Sequence, residues 1–282
     1  MVSGAERLAI LAQALEEAKL RCLVLGGHAV RYYGVDRNTI DYDFHVSLPA
    51  WGDLASRLRA FTSIDLSNLV EGPSWRPNVF RRFQIGRLPD GREEWLEFWR
   101  ANHLLAPFDD LWGRREIGGY GGKEVAFLGL SDLIRSKETE RAGDWQDVSL
   151  LEEIRDARNL GKANDLAGMV HVLTELRSRV GFEQLLRKSA ALDATLAASA
   201  FGMATSAITR ALLLPFTRAA EVTVGDPGFI GEILAGPMRQ CLPASPRHLA
   251  LVEAVRRLYK KQAMDADRAD KEKALKEQDQ TP

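Results

Sequence analysis

Residues 22–47 read CLVLGGHAVRYYGVDRNTIDYDFHVS, and the order of patterns in this segment predicts the fold. The segment opens with a short apolar run that stops at Gly26-Gly27, which is typical of a buried strand entering a tight turn. A short helix follows the turn. Residues 40–47 then alternate apolar with polar side chains, and this period of two predicts a second strand. The segment therefore predicts two strands connected by a glycine turn and a short helix.

The second of these strands carries two aspartates, Asp41 and Asp43. Because successive side chains of a strand point to opposite faces, residues at i and i+2 share a face. Two neighbouring carboxylates repel each other, so keeping both ionised requires a cation between them. Oxygen-only ligands suit Mg²⁺ or Mn²⁺, which keeps water and phosphate oxygens in its remaining positions. The pair predicts a divalent-metal site; the alternative is a pair that faces solvent on an edge strand.

The glycine turn supplies a second element of the same site. Gly26 and Gly27 end one strand and begin a helix, so their free backbone N–H groups can cradle a phosphate. The alternative is a tight turn that binds no ligand.

A third acid, Glu97, stands in the middle of an apolar strand pattern, between a leucine and a phenylalanine. If that strand lies beside residues 40–47, Glu97 reaches the metal site. The alternative is an outward-facing charge on a hairpin, which is what we expect of Glu93 and Glu94.

The rest of the chain divides into a mixed first half and a helical second half. Strand patterns at residues 79–88 and 93–99 are joined by Pro-Asp-Gly, a hairpin signal because Pro restricts φ and Gly accepts a positive φ. Farther along, strand patterns almost vanish and helical patterns follow one another. We therefore expect an α+β domain over residues 1–162, an all-helical domain over residues 163–265 and a charged, solvated or frayed tail over residues 266–282.

The composition excludes several classes of protein. The chain has 282 residues, 45% of them hydrophobic and 27% charged, which is ordinary for a globular protein and unlike a disordered or fibrous one. Its net charge of −1 does not indicate a net-basic nucleic-acid binder. The two cysteines have no partner at metal-ligand spacing. No signal peptide and no run of membrane-spanning length is visible, so we expect a soluble, cytoplasmic protein without a membrane partner.

Taken in order, these pieces resemble the signature of the DNA-polymerase-β-like nucleotidyltransferase superfamily. The matching residues are Leu25 to Val30, Gly34, Arg37, Thr39, Asp41 and Asp43. The branch that the chain resembles most is that of the abortive-infection toxin nucleotidyltransferases, which add a third acid on a later strand and a helix with a Lys followed by Arg and Asp. In this chain that helix carries Lys137, Arg141, Asp144 and Asp147. The resemblance covers roughly residues 20–155.

The resemblance implies a role for each matched residue. It implies that Gly26 and Gly27 bind a triphosphate, that Asp41 and Asp43 hold two divalent metals, and that Glu97 is the third carboxylate, which activates an acceptor hydroxyl. Lys137 would neutralise nucleotide phosphates, or else is a solvated lysine on an amphipathic helix. Arg37 would contact phosphate or anchor its strand. We interpret Arg141, Asp144 and Asp147 instead as an ion-pair network that braces that helix, and we leave them out of the site.

The implied fold is a nucleotidyltransferase-like mixed sheet with flanking helices. The implied activity is transfer of an NMP group from an NTP, such as ATP, to a hydroxyl of an RNA (a tRNA, for example), a protein or a small molecule. By the same resemblance the chain is the toxin of a toxin–antitoxin pair, with a cognate antitoxin as partner. The alternative is a nucleotide-binding or regulatory module of this fold that has lost turnover. It draws its support from Glu97, because many relatives have Asp at this position.

Overall fold

The computed structural model describes residues 3–192, except 49–50, 53, 75–76, 103, 140, 166–167, 169–170 and 173–174. Most of the predicted helical domain and the whole predicted tail therefore lie outside the described residues. The chain forms two compact units, the first comprising Met1–Lys137 and Leu150–Arg155 and the second comprising Glu138–Ser149 and the residues from Asp156 onward. All residues predicted for the site belong to the first unit.

The first unit is built on a mixed sheet, in which seven strands are described. They are β1 (Cys22–Val24), β2 (Tyr42–Val46), β3 (Val70–Glu71), β4 (Phe80–Arg87), β5 (Glu93–Trp99), β6 (Glu116–Tyr120) and β7 (Lys123–Phe127). The strand order is β3-β4-β5-β2-β1-β7-β6. The pairs β2–β5 and β1–β7 are parallel, and the other four pairs are antiparallel.

Helices alternate with these strands and follow them along the chain. They are α1 (Gly4–Glu17), α2 (Gly26–Tyr32), α3 (Leu54–Arg59), α4 (Phe108–Gly113), α5 (Leu130–Ser136), α6 (Ala142–Lys162) and α7 (Arg179–Leu192). α1 begins with a capping box, in which the Ser3 hydroxyl accepts from the Glu6 N–H and the Glu6 carboxylate accepts from the Ser3 N–H. α1 packs against β1 and β7, and α2 packs against β2 and α5. None of the described helices is long and apolar enough to cross a lipid bilayer.

The two faces of β5 have opposite character, and this difference positions the site. Leu96 and Phe98 are fully buried, and Phe98 contacts Phe44 of β2 and Phe83 of β4. Because side chains alternate along a strand, Glu97 lies on the other face, which is only half-buried. The core therefore holds the central strands together from one side and leaves the polar residues on the opposite side.

The predicted α+β fold class, a mixed sheet with flanking helices, is confirmed. The short elements β3, α4 and β6 lack a sequence pattern that would predict them. β3 has only two residues, α4 has one turn and a half, and β6 consists of Glu-Ile-Gly-Gly-Tyr, so none carries a long periodic pattern. β6 exists because its backbone pairs with β7 through a turn in which Gly121 and Gly122 both have positive φ.

Candidate active site

The turn between β1 and α2 is interlocked with the aspartate strand. The backbone N–H of Leu25 donates to the carbonyl oxygen of Asp43 at 3.1 Å. Gly26 has φ +65°, and a Cβ built on it would overlap the Asp43 carboxylate, with Asp43 Cγ at 2.5 Å and Asp43 Cβ at 2.9 Å. A Cβ on Gly27 would overlap the Thr39 hydroxyl. Both glycines are therefore required by close approach, and at Gly26 by backbone conformation as well.

We expect Gly26→Ala to lower the free energy of unfolding by about 2–5 kcal/mol. The substitution forces alanine into a left-handed backbone conformation and adds a steric overlap with Asp43. Rotation of the Asp43 carboxylate alone does not remove the overlap, since the Cβ of Asp43 is also too close. Urea unfolding of the metal-free protein measures the effect.

The matched control is Gly34→Ala, because Gly34 also has a positive φ (+103°) but nothing lies within 4 Å of a Cβ built there. This variant should lose only the strain, about 1–2 kcal/mol. Equal losses in the two variants would contradict the interlocking of the turn with Asp43.

Three carboxylates lie close together at the half-buried face of the sheet. β2 and β5 run parallel, with Asp43 directly beside Glu97. Asp41 directly precedes β2, which begins at Tyr42 and not at the predicted residue 40. It lies close enough that the charge of Asp43 acts on Asp41 and the charge of Asp41 acts on Glu97. The adjacency on which the prediction for Glu97 depended is therefore present.

Burial and mutual repulsion raise the pKa values of this group. The pKa of Glu97 is raised to about 9, first by burial, then by the charge of Asp43 and by a hydrogen bond between the two side chains. Burial and the charge of Asp43 also raise the pKa of Asp41, against the effect of the Trp95 backbone N–H, which donates to its carboxylate. The site concentrates more negative charge than its surroundings stabilise, which favours a bound cation.

The carboxylates fit a divalent metal whose coordination is completed by a ligand. Asp41 Oδ1 is buried and has no hydrogen-bond partner among the described residues, so one ligating oxygen is available. Within the described part of the chain, no group of three or more His, Cys, Asp or Glu is arranged to hold a metal ion alone. Mg²⁺ is usually held by one or two carboxylates together with substrate phosphates. Asp41 and Asp43 fit that arrangement; Glu97 as a metal ligand stays a prediction.

A cation that sequence reasoning did not assign to the site lies next to Glu97. Arg82 of β4 is the antiparallel partner of Glu97, and its guanidinium stacks 4.3 Å from the centroid of Trp95. Its positive charge opposes the rise in the pKa values of Asp41 and Glu97. In sequence it is one of several arginines in the hairpin region, and only its strand register distinguishes it.

Arg37 and Lys137, the other predicted nucleotide ligands, lie on different elements. Arg37 is in the loop before β2, and its Nε donates to the carbonyl of Asn38 at 3.4 Å. Lys137 follows α5 and is buried, at 7% exposure, so it is not the solvated lysine of the alternative hypothesis. Their roles toward a nucleotide stay predictions.

The hairpin acids and the helix-bracing residues have partners of their own. Glu94, expected to face outward, is instead buried, where it pairs with Arg7 at 2.8 Å. The expectation was wrong because Glu94 alternates with Glu97 and shares the apolar face of β5. In the second unit, Arg141 and Asp144 form the predicted ion pair at 2.8 Å.

Comparison with known proteins gives only distant similarities. No family model matches the chain, and no curated protein is significantly similar to it. Among solved structures, the lincomycin-bound lincosamide adenylyltransferase LnuA is 15% identical (54% of this chain, 98% of that chain, TM-score 0.40). An antigenic nucleotidyltransferase-like protein from Paracoccidioides brasiliensis is 15% identical (64% and 90%, TM-score 0.38). JHP933 from Helicobacter pylori is 14% identical (97% and 100%, TM-score 0.40). Similarities this low carry no argument about activity, which rests on the residues of the site.

Proposed function

We propose that this protein is a nucleotidyltransferase that depends on Mg²⁺ or Mn²⁺ and moves an NMP group from an NTP to an acceptor hydroxyl. The observation that carries the proposal is the position of Asp43, which touches the glycine turn on one side and Glu97 on the other. Nucleotidyl transfer requires a phosphate-binding turn, a carboxylate pair and a further carboxylate that lie next to one another.

Each part has a distinct task in the proposed reaction. The backbone N–H groups at Gly26 and Gly27 hold the triphosphate, and Arg37 and Lys137 add positive charge for its phosphates. Asp41 and Asp43 hold the divalent metal, which when bound neutralises phosphate charge and orients the α-phosphate. Glu97 accepts the proton of the acceptor hydroxyl. The acceptor oxygen then forms a bond to the α-phosphorus, and the bond to pyrophosphate breaks with its electron pair on pyrophosphate.

We expect Mg²⁺ with NTP to raise the melting temperature, because a ligand that binds only the native state adds RT ln(1 + [L]/Kd) to its stability. At 100 times Kd this is about 2.7 kcal/mol. Thermal denaturation with each of the four NTPs at millimolar concentration measures the shift, with Mg²⁺ alone and NTP plus chelator as controls. The absence of any shift with every base would contradict a nucleotide site.

A second candidate is a module of the same fold that binds NTP without transferring it. It is favoured by the hydrogen bond between Glu97 and Asp43 and by the raised pKa of Glu97, because a protonated carboxyl cannot accept a proton. Pyrophosphate release decides between the two: release in the presence of an acceptor supports the transferase, and NTP binding without release supports the module.

The acceptor belongs to the proposal as well. The sequence resemblance supports an RNA such as tRNA as acceptor and a role as the toxin of a toxin–antitoxin pair, and we also propose that the protein acts in the cytoplasm. Incubating the protein with labelled NTPs and a cell extract identifies the class of molecule that becomes labelled. Labelled protein or small molecule without labelled RNA would overturn the RNA assignment.

A further inference from the structure

The site residues lie side by side across neighbouring strands, and Arg82 is the one farthest from the glycine turn. Asp43, Glu97 and Arg82 lie at one level of three neighbouring strands, β2, β5 and β4. If the triphosphate lies at the glycine turn, as proposed above, the side of Glu97 that faces Arg82 is where the acceptor must enter. Arg82 is therefore the cation nearest to the acceptor along this row.

The guanidinium of Arg82 is held in place by two contacts, one with Trp95 and one with Pro73. Its Cζ lies over the Trp95 ring, 4.3 Å from the ring centroid, and its Nε donates to the carbonyl of Pro73 at 3.1 Å. Gly72 lets the chain pass close to this stack, since a Cβ there would lie 2.7 Å from Trp95 Cη2 and 3.2 Å from Arg82 Nε. We call these contacts of Arg82 with Trp95 and Pro73 the clamp. Because the clamp already orders the Arg82 side chain, less conformational entropy is lost when a ligand binds to it.

The clamp leaves the two terminal nitrogens of Arg82 for a ligand. Among the described residues, the one hydrogen bond of this guanidinium comes from Nε, and no carboxylate lies within ion-pair distance. The terminal nitrogens form a planar fork that matches two oxygens of a phosphate. An anionic acceptor that approaches three carboxylates is repelled, and a fixed cation beside Glu97 offsets that repulsion.

We infer that Arg82, clamped by Trp95, forms an acceptor-side phosphate subsite, so that the acceptor carries a phosphate group beside its reacting hydroxyl. This inference rests on the proposed nucleotidyl transfer, since it assigns the acceptor side of that site. Arg82 determines specificity, and it takes no part in proton transfer.

Binding of a minimal acceptor tests the subsite. The full-length protein is saturated with Mg²⁺ and a non-hydrolysable NTP analogue and is then titrated calorimetrically with glycerol 3-phosphate. Glycerol is the uncharged control probe, and glycerate replaces the phosphate by a carboxylate. We expect glycerol 3-phosphate to bind more tightly than either, and Arg82→Gln to weaken its binding on the order of tenfold to hundredfold.

Arg87→Gln is the matched control variant, because Arg87 lies on the same strand but is exposed and pairs with Glu93 at 3.1 Å. It should bind glycerol 3-phosphate like the parent. The affinity for the NTP analogue should be the same in all three proteins, which separates the subsite from the triphosphate site. Should Arg82→Gln not melt cooperatively, Arg82→Lys takes its place, and several-fold weaker binding is expected because lysine lacks the fork.

Two results would overturn the subsite while leaving the proposed function intact. They are equal binding of glycerol 3-phosphate by the parent and the Arg82 variant, and equal binding of the phosphate and carboxylate probes by the parent, each with the NTP analogue bound normally. If the analogue does not bind to the parent, the proposed function fails first and the inference fails with it.

Discussion

Asp43→Asn should abolish nucleotidyl transfer and at the same time stabilise the metal-free protein. Asp43 lies between the glycine turn and Glu97: it contacts the turn, and its side chain is hydrogen-bonded to Glu97. Loss of a carboxylate that is proposed to hold the metal is expected to cost at least about 10³-fold in transfer rate, since metal chemistry contributes several kcal/mol. Pyrophosphate release in the presence of an acceptor measures it.

The same substitution removes the carboxylate charge that raises the pKa values of Asp41 and Glu97, so the free energy of unfolding without metal should rise by about 1 kcal/mol. Asn keeps the shape of the side chain and can still accept a hydrogen bond from a protonated Glu97. Urea unfolding with a chelator present measures the gain. The control is Asp36→Asn, because Asp36 is an exposed carboxylate in the loop before β2 and should change neither quantity. Transfer near the parental rate by Asp43→Asn would remove the carboxylate pair from the mechanism.

Glu97→Gln should reduce transfer on the order of 10²–10⁴-fold and leave NTP binding nearly unchanged, because glutamine cannot accept the proton of the acceptor hydroxyl. The triphosphate is held by the glycine turn and the aspartate pair in the proposed mechanism, so its affinity does not depend on this group. Single-turnover transfer and calorimetric NTP binding separate the two effects. Glu93→Gln is the control, since Glu93 lies on the same strand and pairs with Arg87.

Each alternative outcome for Glu97 has a definite meaning. Parental transfer by Glu97→Gln would place the third carboxylate elsewhere. Glu94 is not a candidate, because it lies on the apolar face against Arg7. If the parent and the variant both bind NTP and neither transfers to any acceptor, the non-catalytic module is supported.

Local patterns predicted the elements in which apolar and polar residues alternate over several positions. The strand at residues 93–99 has the predicted bounds, because alternation over several residues is a local property of the chain. The turn at Gly26-Gly27 was predicted for the same reason, since both glycines interrupt an apolar run. β3, α4 and β6 were missed because pairing and packing with distant residues stabilise elements too short to show a period.

Local sequence patterns also did not predict which individual charged side chains are buried. Glu93, Glu94 and Glu97 look alike in sequence, yet Glu94 pairs with Arg7 of α1 on the apolar face. The partner is 87 residues away, and no pattern around Glu94 indicates it.

By itself the sequence determined that Asp41 and Asp43 lie close together, because they are two residues apart at the start of one strand. It did not determine which strands are neighbours: Asp43 lies beside Glu97 only because β5 returns parallel to β2 from a distant part of the chain. The position of Arg82 depends in addition on the register between β4 and β5. A regular hairpin that continues the pairing of Gly86 with Glu94 would bring Phe83 opposite Glu97. The irregularity between Gln84 and Gly86 shifts the register by one residue, so that Arg82 takes that position. Because a shift of one residue exchanges the two faces of a strand, tertiary structure alone decided that a cation stands beside the acids.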